Sequence, residues 1–357
     1  MTGSGKREAG SEPGGSGASR FPLSASRSPL PASRKKRLGV IGTFVWDKIH
    51  GREKGRPPVQ EWGGITYSLS GLDAALPEDW EIVPIMKIGS DLADRAKQFL
   101  SGLHRLADDA ALVEVPYPNN RVELRYFSDE RRTEVLSGGV PGWNWLALKP
   151  LVDAARLDAL YVNFLSGSEL DLATAQELRR HMSGPIYADL HMLVMSVESD
   201  GLRVLRPLSH VREWCACFDL LQSNEDEIQM MAPDPMALAA TAMHEGAQCL
   251  AVTLGPRGAV YFAAPGFNRL SDLDGLRGAK ASAAPVRTEL IPAEKVLAPL
   301  DPTGCGDVWG ATYFSRLLAG DMLGDAIRAA HRAAARNVEH RGATGLADHL
   351  RGKLSFT

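Results

Sequence analysis

The chain has 357 residues and a formal net charge of −3, so bulk electrostatics give no case for nucleic acid or an anionic membrane as partner. Apolar content of 44% and charged content of 23% are ordinary for a globular protein, and a chain this long forms two domains or one large α/β domain. No uninterrupted apolar stretch approaches the ~18 residues of a membrane span, which leaves an enzyme or a binding protein.

Residues 1 to about 36 are rich in Gly, Ser, Pro and Arg and lack aliphatic periodicity. Such a segment cannot bury enough apolar surface to offset its ordering entropy, which predicts disorder. It also lacks the apolar core of a secretory signal, and Glu8, Glu12 and the glycines argue against a transit peptide. The folded domain is expected over residues 37–357. Leu38 to Val45 reads as strand, Thr66 to Leu76 as helix, Ile82 to Ile88 as strand and Asp91 to Leu103 as helix. Ala159 to Phe164 returns to strand and Leu172 to Met182 to helix. Pro185 to Leu190, Leu220 to Ser223 and Cys249 to Leu254 continue the strands, separated by helices. That alternation predicts a mainly parallel sheet with helices on both faces, whose ligands sit at the carboxyl ends of the strands. Asp47, Asn163, Asp189, Asn224 and Thr253 fall at or just past such ends. Two stretches, Ile49 to Trp62 and Val113 to Gly139, instead alternate with period two, which reads as twisted antiparallel strands with one wetter face. Cys215, Cys217, Cys249 and Cys305 include no pair of ligand spacings, and the first two are too close for a relaxed disulfide. Reduced thiols in a cytoplasmic protein are the simpler account.

The most informative segment is Asp301 to Gly320. A turn of Gly304, Cys305 and Gly306 runs into Asp307 and then into a helical pattern carried by Val308, Trp309, Thr312, Tyr313 and Leu317. Backbone N–H groups at a helix start lack intrahelical acceptors and lie at the positive end of the dipole. Glycines let a ligand approach them, so the turn predicts an anion pocket, most naturally for a phosphate. A carboxylate beside a phosphoryl group repels it. Asp307 therefore needs a reason to be there, and a base that takes a proton from an attacking hydroxyl supplies one.

This segment resembles the second signature of the phosphofructokinase-B, or ribokinase-like, family of small-molecule kinases, whose usual form is Asp-Thr-x-Gly-Ala-Gly-Asp. Two positions depart from it: Pro302, which removes one N–H from the approach to the turn, and Cys305 in place of Ala. Further matches follow in the family's order. Asp47 ends LGVIGTFVWD, Gly63 and Gly64 follow Trp62, and Gly89 and Asp91 match a strand end of structural role. Asn224 and Glu227 match Asn-x-x-Glu, Thr253 and Gly255 to Gly258 form a strand end and turn, and Asn337 lies in the closing helix. The matches span Leu38 to Gly345. Ser68 stands where the family often has Asn.

The resemblance implies a three-layer α/β sandwich with a small β-sheet lid built from about 49–62 and 113–139. A lid keeps water, the competing nucleophile, from the γ-phosphate. It implies ATP-dependent phosphorylation of a hydroxyl on a small sugar or polyol, with Asp307 as base and the backbone of residues 304 to 306 as anion hole. Asp47, Gly63, Gly64, Asn163 and Asp189 would hold the acceptor. Asn224, Thr253, Gly255, Gly258 and Asn337 would lie along the ATP, and Asn224 and Glu227 would place Mg2+ through water. A monovalent cation near Asp301 and Thr303 and lids paired across a homodimer belong to the same set of expectations. Two other readings stay open. A nucleoside kinase of the same family would stack a base on Trp46, Trp62, Tyr67 or Tyr126. A catalytically silent sugar or nucleotide sensor would lack the base, whereas Asp307 is present. A P-loop kinase is disfavoured, since no G-x-x-x-x-G-K-[ST] occurs.

Overall fold

The computed structural model describes residues 34–50, 57–126, 132–277, 285–297 and 299–352. The tail over residues 1–33 and parts of both expected lid stretches, 51–56 and 127–131, lie outside them. Residues Lys35–Thr357 form one compact unit. The chain enters it through β1 (Lys36–Ile41), β2 (Phe44–His50) and β3 (Val59–Gly64), followed by α1 (Ile65–Ala75), β4 (Trp80–Pro84), β5 (Lys87–Gly89) and α2 (Ala93–Ser101). Next come β6 (Val113–Val115), β7 (Arg121–Tyr126), β8 (Arg132–Ser137), α3 (Trp145–Ala155), β9 (Ala159–Asn163), α4 (Leu172–His181) and β10 (Ile186–Asp189). The short pair β11 (Met195–Val197) and β12 (Arg203–Leu205) leads through α5 (Val211–Cys215) to β13 (Leu220–Asn224), α6 (Glu225–Ile228), α7 (Pro235–His244) and β14 (Cys249–Thr253). The last elements are β15 (Ala259–Ala263), α8 (Leu273–Leu276), β16 (Arg287–Ile291), α9 (Cys305–Leu318), α10 (Leu323–Val338) and α11 (Leu346–Leu350).

Eight strands form the large sheet in the order β16-β15-β14-β13-β10-β9-β1-β4. The six from β14 to β4 are parallel, and β15 and β16 add an antiparallel edge. Strict alternation divides their apolar side chains between two cores. Leu38, Val40, Tyr161, Tyr187, Leu220 and Ala251 face α1, α9 and α10, while Leu160, Val162, Ala188, Leu221 and Val252 face α3, α4 and α7. Burial on both faces is why these strands read as near-continuous apolar runs. Beneath α9, Tyr161 stacks on Tyr187 with centroids 4.8 Å apart, and Tyr187 on Phe314 at 5.3 Å. Helix starts follow local chemistry: Asp171 accepts the Thr174 N–H at 2.7 Å and Asp234 the Ala237 N–H at 2.8 Å. Such caps contribute about 1 kcal/mol each.

The structure corrects three readings of the sequence. Leu38 to Val45 is two strands in two sheets: at Gly42 the backbone passes so close to Ile65 that a Cβ would lie 2.4 Å from its Cδ1, and the chain then leaves the large sheet. Asp47 therefore lies inside β2 rather than at a strand end. Ile82 to Ile88 also breaks, between Pro84 and Lys87, with β5 pairing to β6 in a separate ribbon. The small sheet has the order β3-β2-β7-β8, and its central pair β2–β7 is parallel, where period-two alternation had predicted antiparallel strands throughout. Alternation reports which face is wet, not strand direction. Among the described residues no helix is long and apolar enough to cross a membrane.

Candidate active site

Gly304 sits at φ 74°, ψ 5°, a left-handed conformation open to glycine, and turns the chain into α9. The ring of Tyr67 lies directly against it: a Cβ on Gly304 would be 2.1 Å from Tyr67 Cδ1. Val308 N–H donates to Gly304 O at 2.9 Å, which opens the helical ladder. Cys305 N–H turns back to Pro302 O at 3.2 Å, so part of the expected hole at residues 304 to 306 is already occupied. By helix geometry the N–H groups of Gly306 and Asp307 have no acceptor within the helix and are left for a partner outside it. Asn337, in α10, is buried behind it. Its Nδ2 donates to Thr303 O at 2.9 Å and lies 3.2 Å from Cys305 Sγ, so its side chain fixes the turn. The Cys305 thiol is pushed up to about 11 by burial, which leaves it protonated at neutral pH.

The Asp307 carboxylate is drawn into a network of strand-end side chains. Asn163, at the end of β9 and fully buried, donates from Nδ2 to Asp307 Oδ1 at 2.6 Å and to Ser68 Oγ at 3.0 Å. Ser68 is thereby placed within the same network, in α1. Burial raises Asp307 above the ordinary carboxylate range, and His191 together with the hydrogen bonds from Asn163 and Ser68 opposes that rise. Asp189 ends β10, and burial holds it well above its usual value. Expected on the acceptor side, it lies in register between Asn163 of β9 and Gln222 of β13. Gln222 Nε2 donates to Asp189 Oδ2 at 2.9 Å and to Gly306 O at 3.1 Å. Gln222 thus ties the strand ends to the turn. Its signal in the sequence is an amide in the middle of the strand LLQSN.

Asn224 and Glu227 open α6 as a reciprocal capping box. Asn224 Oδ1 accepts the Asp226 and Glu227 N–H groups, and Glu227 Oε2 accepts Asn224 N–H at 2.9 Å. Glu227 also receives Ser223 Oγ at 2.9 Å, Asn224 Nδ2 at 2.5 Å and His191 Nδ1 at 2.6 Å. Sequence reading passed over His191 altogether. It stands two residues beyond Asp189, and only the fold brings it to α6.

Two cavities meet along the turn. One, of about 370 Å³, is lined by Asp189, His191, Asn224, Glu227, Thr253, Gly255 and the 302–307 backbone, among others. The other, of about 440 Å³, is mostly apolar and is walled by Gly258, Val296, Trp309, Ala334, Ala335 and Val338. Thr253, Gly255, Pro302, Cys305 and Gly306 line both. A charged head and a flat apolar tail joined end to end would fit this pair. Among the described residues no three His, Cys, Asp or Glu side chains converge on a metal position.

The other expected site residues belong to the small sheet. Asp47 of β2 is buried against Gly63 of β3, where a Cβ would come within 1.8 Å of its Oδ2. Gly64 follows at φ 58° and starts α1. Trp62 packs edge-on against Phe44 at 5.5 Å and Trp46 at 5.1 Å, and the Arg95 guanidinium lies 5.0 Å from the Trp46 ring. Those aromatics and Tyr67 are engaged in packing. The Tyr126 side chain is outside the described residues. Glu61, opposite Asp47 in register, is raised first by burial and then by the Asp301 carboxylate, with Arg341 opposing.

A mostly parallel large sheet, a small separate sheet, and a glycine turn presenting a carboxylate at the start of a long helix together define the ribokinase-like α/β fold. Residues 196–349 match the family model of the pfkB family carbohydrate kinases, which over that segment bears out the family read from the sequence. The matched segment holds Asn224, Glu227, Thr253, Asp307 and Asn337, whereas Asp47, Gly63 and Asn163 precede it. Among solved structures, the chain is similar to a Burkholderia thailandensis nucleoside kinase in complex with inosine, at 17% identity and TM-score 0.63, covering 87% of this chain and 94% of that one. It is similar to the ribokinase of Thermotoga maritima at 16% identity and TM-score 0.59, covering 89% and 98%. It is also similar to the ribokinase of Arabidopsis thaliana complexed with ribose and ATP, at 15% identity and TM-score 0.61, covering 90% and 100%. None of the curated proteins matches the chain in sequence.

Proposed function

We propose that this protein transfers the γ-phosphoryl group of ATP to a hydroxyl of a small sugar or polyol. The observation that carries the reading is the Asp307 carboxylate, buried at the foot of α9, held by Asn163 at 2.6 Å and lining the same cavity as the phosphate-facing turn. The apolar cleft beyond the turn suits an adenine, and the acidic cavity suits the phosphate end. Asp307 takes the proton of the acceptor hydroxyl as its oxygen attacks phosphorus, while the Gly306 and Asp307 N–H groups meet charge on the phosphoryl oxygens. Positioning and electrostatics carry most of such a transfer. Asp47, set by Gly63, orients the acceptor from the small sheet. The Arabidopsis relative was captured with ribose and ATP, which supports the donor and the acceptor class alike.

Asn224 and Glu227 fit Mg2+ through water, not by direct ligation, because the Glu227 oxygens already accept four hydrogen bonds. When bound with nucleotide, the ion would neutralise phosphate charge. A monovalent cation near Asp301 would sit beside Glu61, whose carboxyl is held above its ordinary value by burial and then by the Asp301 carboxylate.

Two variants test the acceptor side and the base. In Gly63→Ala the new methyl displaces the Asp47 carboxylate, so acceptor kcat/KM should fall about a hundredfold, the scale of an ångström misplacement, with the KM for ATP unchanged. Equal loss for both substrates would show a general disruption instead. The base must be ionised, so activity is lost as pH falls through the raised Asp307 value, at higher pH than an ordinary Asp would give. Asn163→Ala removes a hydrogen bond that favours the ionised form, so the acid limb of the kcat profile should move to still higher pH. An unmoved limb would take Asn163 out of that role. An acceptor panel of ribose, fructose, 2-keto-3-deoxygluconate, adenosine and inosine with ATP tests the reaction and separates sugar from nucleoside. The inosine complex of the Burkholderia relative is the observation that keeps nucleosides in the panel.

A further inference from the structure

The Thr66, Ser68 and Ser70 hydroxyls are all buried in α1, and one of them bonds unlike the others. Thr66 Oγ1 donates to Gly63 O at 2.9 Å and Ser70 Oγ to Thr66 O at 2.8 Å, so each spends its proton on the backbone just before it. Ser68, fully buried between them, turns its Oγ to β9 instead. It lies one turn beyond Gly64, so the helix that opens at the acceptor-side glycines also reaches the network around Asp307.

Two donors meet Ser68 there. Asn163 Nδ2 donates to its Oγ at 3.0 Å, and the Tyr161 hydroxyl, two residues earlier on the same face of β9, donates at 3.3 Å. A serine hydroxyl has two acceptor lone pairs and one proton. Both lone pairs are taken, so the proton must find an acceptor elsewhere. Asp307 supplies it. The Asn163 nitrogen that touches Ser68 Oγ also touches Asp307 Oδ1 at 2.6 Å, and Ser68 is hydrogen-bonded to that carboxylate. An ionised carboxylate only accepts, so Asn163 and Ser68 both stand as donors to it.

We propose that Ser68 is a positioning residue for the base, its O–H donating to the Asp307 carboxylate and, with Asn163, holding it in the pose that takes the acceptor's proton. The inference rests on the reading of Asp307 as that base. One donor leaves a carboxylate free to swing about its own bond, whereas donors from two elements, β9 and α1, fix its plane. A base already in its reacting geometry does not have to be captured from other rotamers. The Ser68 proton stays on the serine throughout, and the proton leaving the acceptor hydroxyl goes to Asp307.

The test uses the full chain, with ATP, Mg2+ and whichever member of the five-acceptor panel the wild type phosphorylates. Turnover is measured for wild type, Ser68→Ala, Ser68→Cys, Asp307→Asn and Ser68→Ala combined with Asp307→Asn, each checked for folding by circular dichroism. Ser68→Ala should lower kcat about 10–100-fold, the range of a hydrogen bond to a charged group, with the KM for ATP unchanged. Ser68→Cys keeps the size but is a weak donor, so it should show the same loss and serves where the alanine variant folds poorly. In the Asp307→Asn background Ser68→Ala should cost nothing further, because the two residues act as one unit. Wild-type kcat in both Ser68 variants overturns the inference alone. An equal loss with and without Asp307, or a KM for ATP that rises with the loss, assigns Ser68 a structural role and overturns it too. Near-normal turnover in Asp307→Asn overturns the reading of the base and this inference with it.

Discussion

Asp307→Asn should lose at least about a hundredfold in kcat, the lower end of what a positioned base contributes, while still binding nucleotide. The substitution is nearly isosteric, so the α9 start and the Asn163 contact keep their shape. An amide cannot accept the acceptor's proton, and the reacting oxygen would attack as a neutral hydroxyl. Nucleotide binding should be retained or improved, because the carboxylate beside the phosphate is gone and the backbone donors of the turn are untouched. Steady-state kcat together with calorimetric titration of ADP separates the two effects. Near-normal turnover would remove Asp307 from the base's role, and joint loss of turnover and ADP binding would make it a structural residue.

Gly304→Ala should cost the site its phosphate cradle. A non-glycine residue at φ 74° carries roughly 1–2 kcal/mol of backbone strain. The larger effect is steric: the new methyl would lie 2.1 Å from a ring atom of Tyr67, and that ring is buried against the large core and cannot swing clear. The turn must shift, and with it the Gly306 and Asp307 N–H groups. Displacement on the ångström scale costs about a hundredfold in kcat/KM, and here ATP affinity should fall with it. A Tyr67→Leu partner variant gives the control. If the clash is the cause, the double variant should recover ATP affinity relative to Gly304→Ala alone, a coupling that distant independent sites do not show. Wild-type ATP affinity in Gly304→Ala would mean the turn does not depend on that glycine.

What could be read from the residues was what is local. The turn before α9, the parallel order of strands, and Asn163, Asp189, Asn224 and Thr253 at strand ends are written in short-range pattern. Sheet membership was not. Leu38 to Val45 is apolar throughout, and only packing of Gly42 against Ile65 divides it between two sheets. Side-chain direction was equally hidden. Asn337 lies in the expected helix, yet its amide turns to Thr303 behind the anion turn while Ala334, Ala335 and Val338 wall the cleft. Asp189 meets both Asn163 and Gln222 because β10 runs between β9 and β13, a fact of strand order alone. Gln222 and His191 have no motif of their own and become site residues only when β10, β13, α6 and α9 meet.

The acceptor end stays the least constrained by local pattern for a related reason. Its residues come from β2, β3 and β9, which meet across two sheets, and Trp46, Trp62 and Tyr67 are engaged in packing rather than offered as a platform for a base. Under the proposed function, that arrangement suits a compact polyol held by hydrogen bonds. The choice can be put to the protein directly. Wild-type chain with ATP, Mg2+ and each of ribose, fructose, 2-keto-3-deoxygluconate, adenosine and inosine, followed by ADP release and mass spectrometry of the acceptor, should give one phosphorylated sugar formed mole for mole with ADP. Calorimetric binding of ATP or of an acceptor with no phosphorylated product from any of the five would overturn the kinase reading and leave a silent sensor.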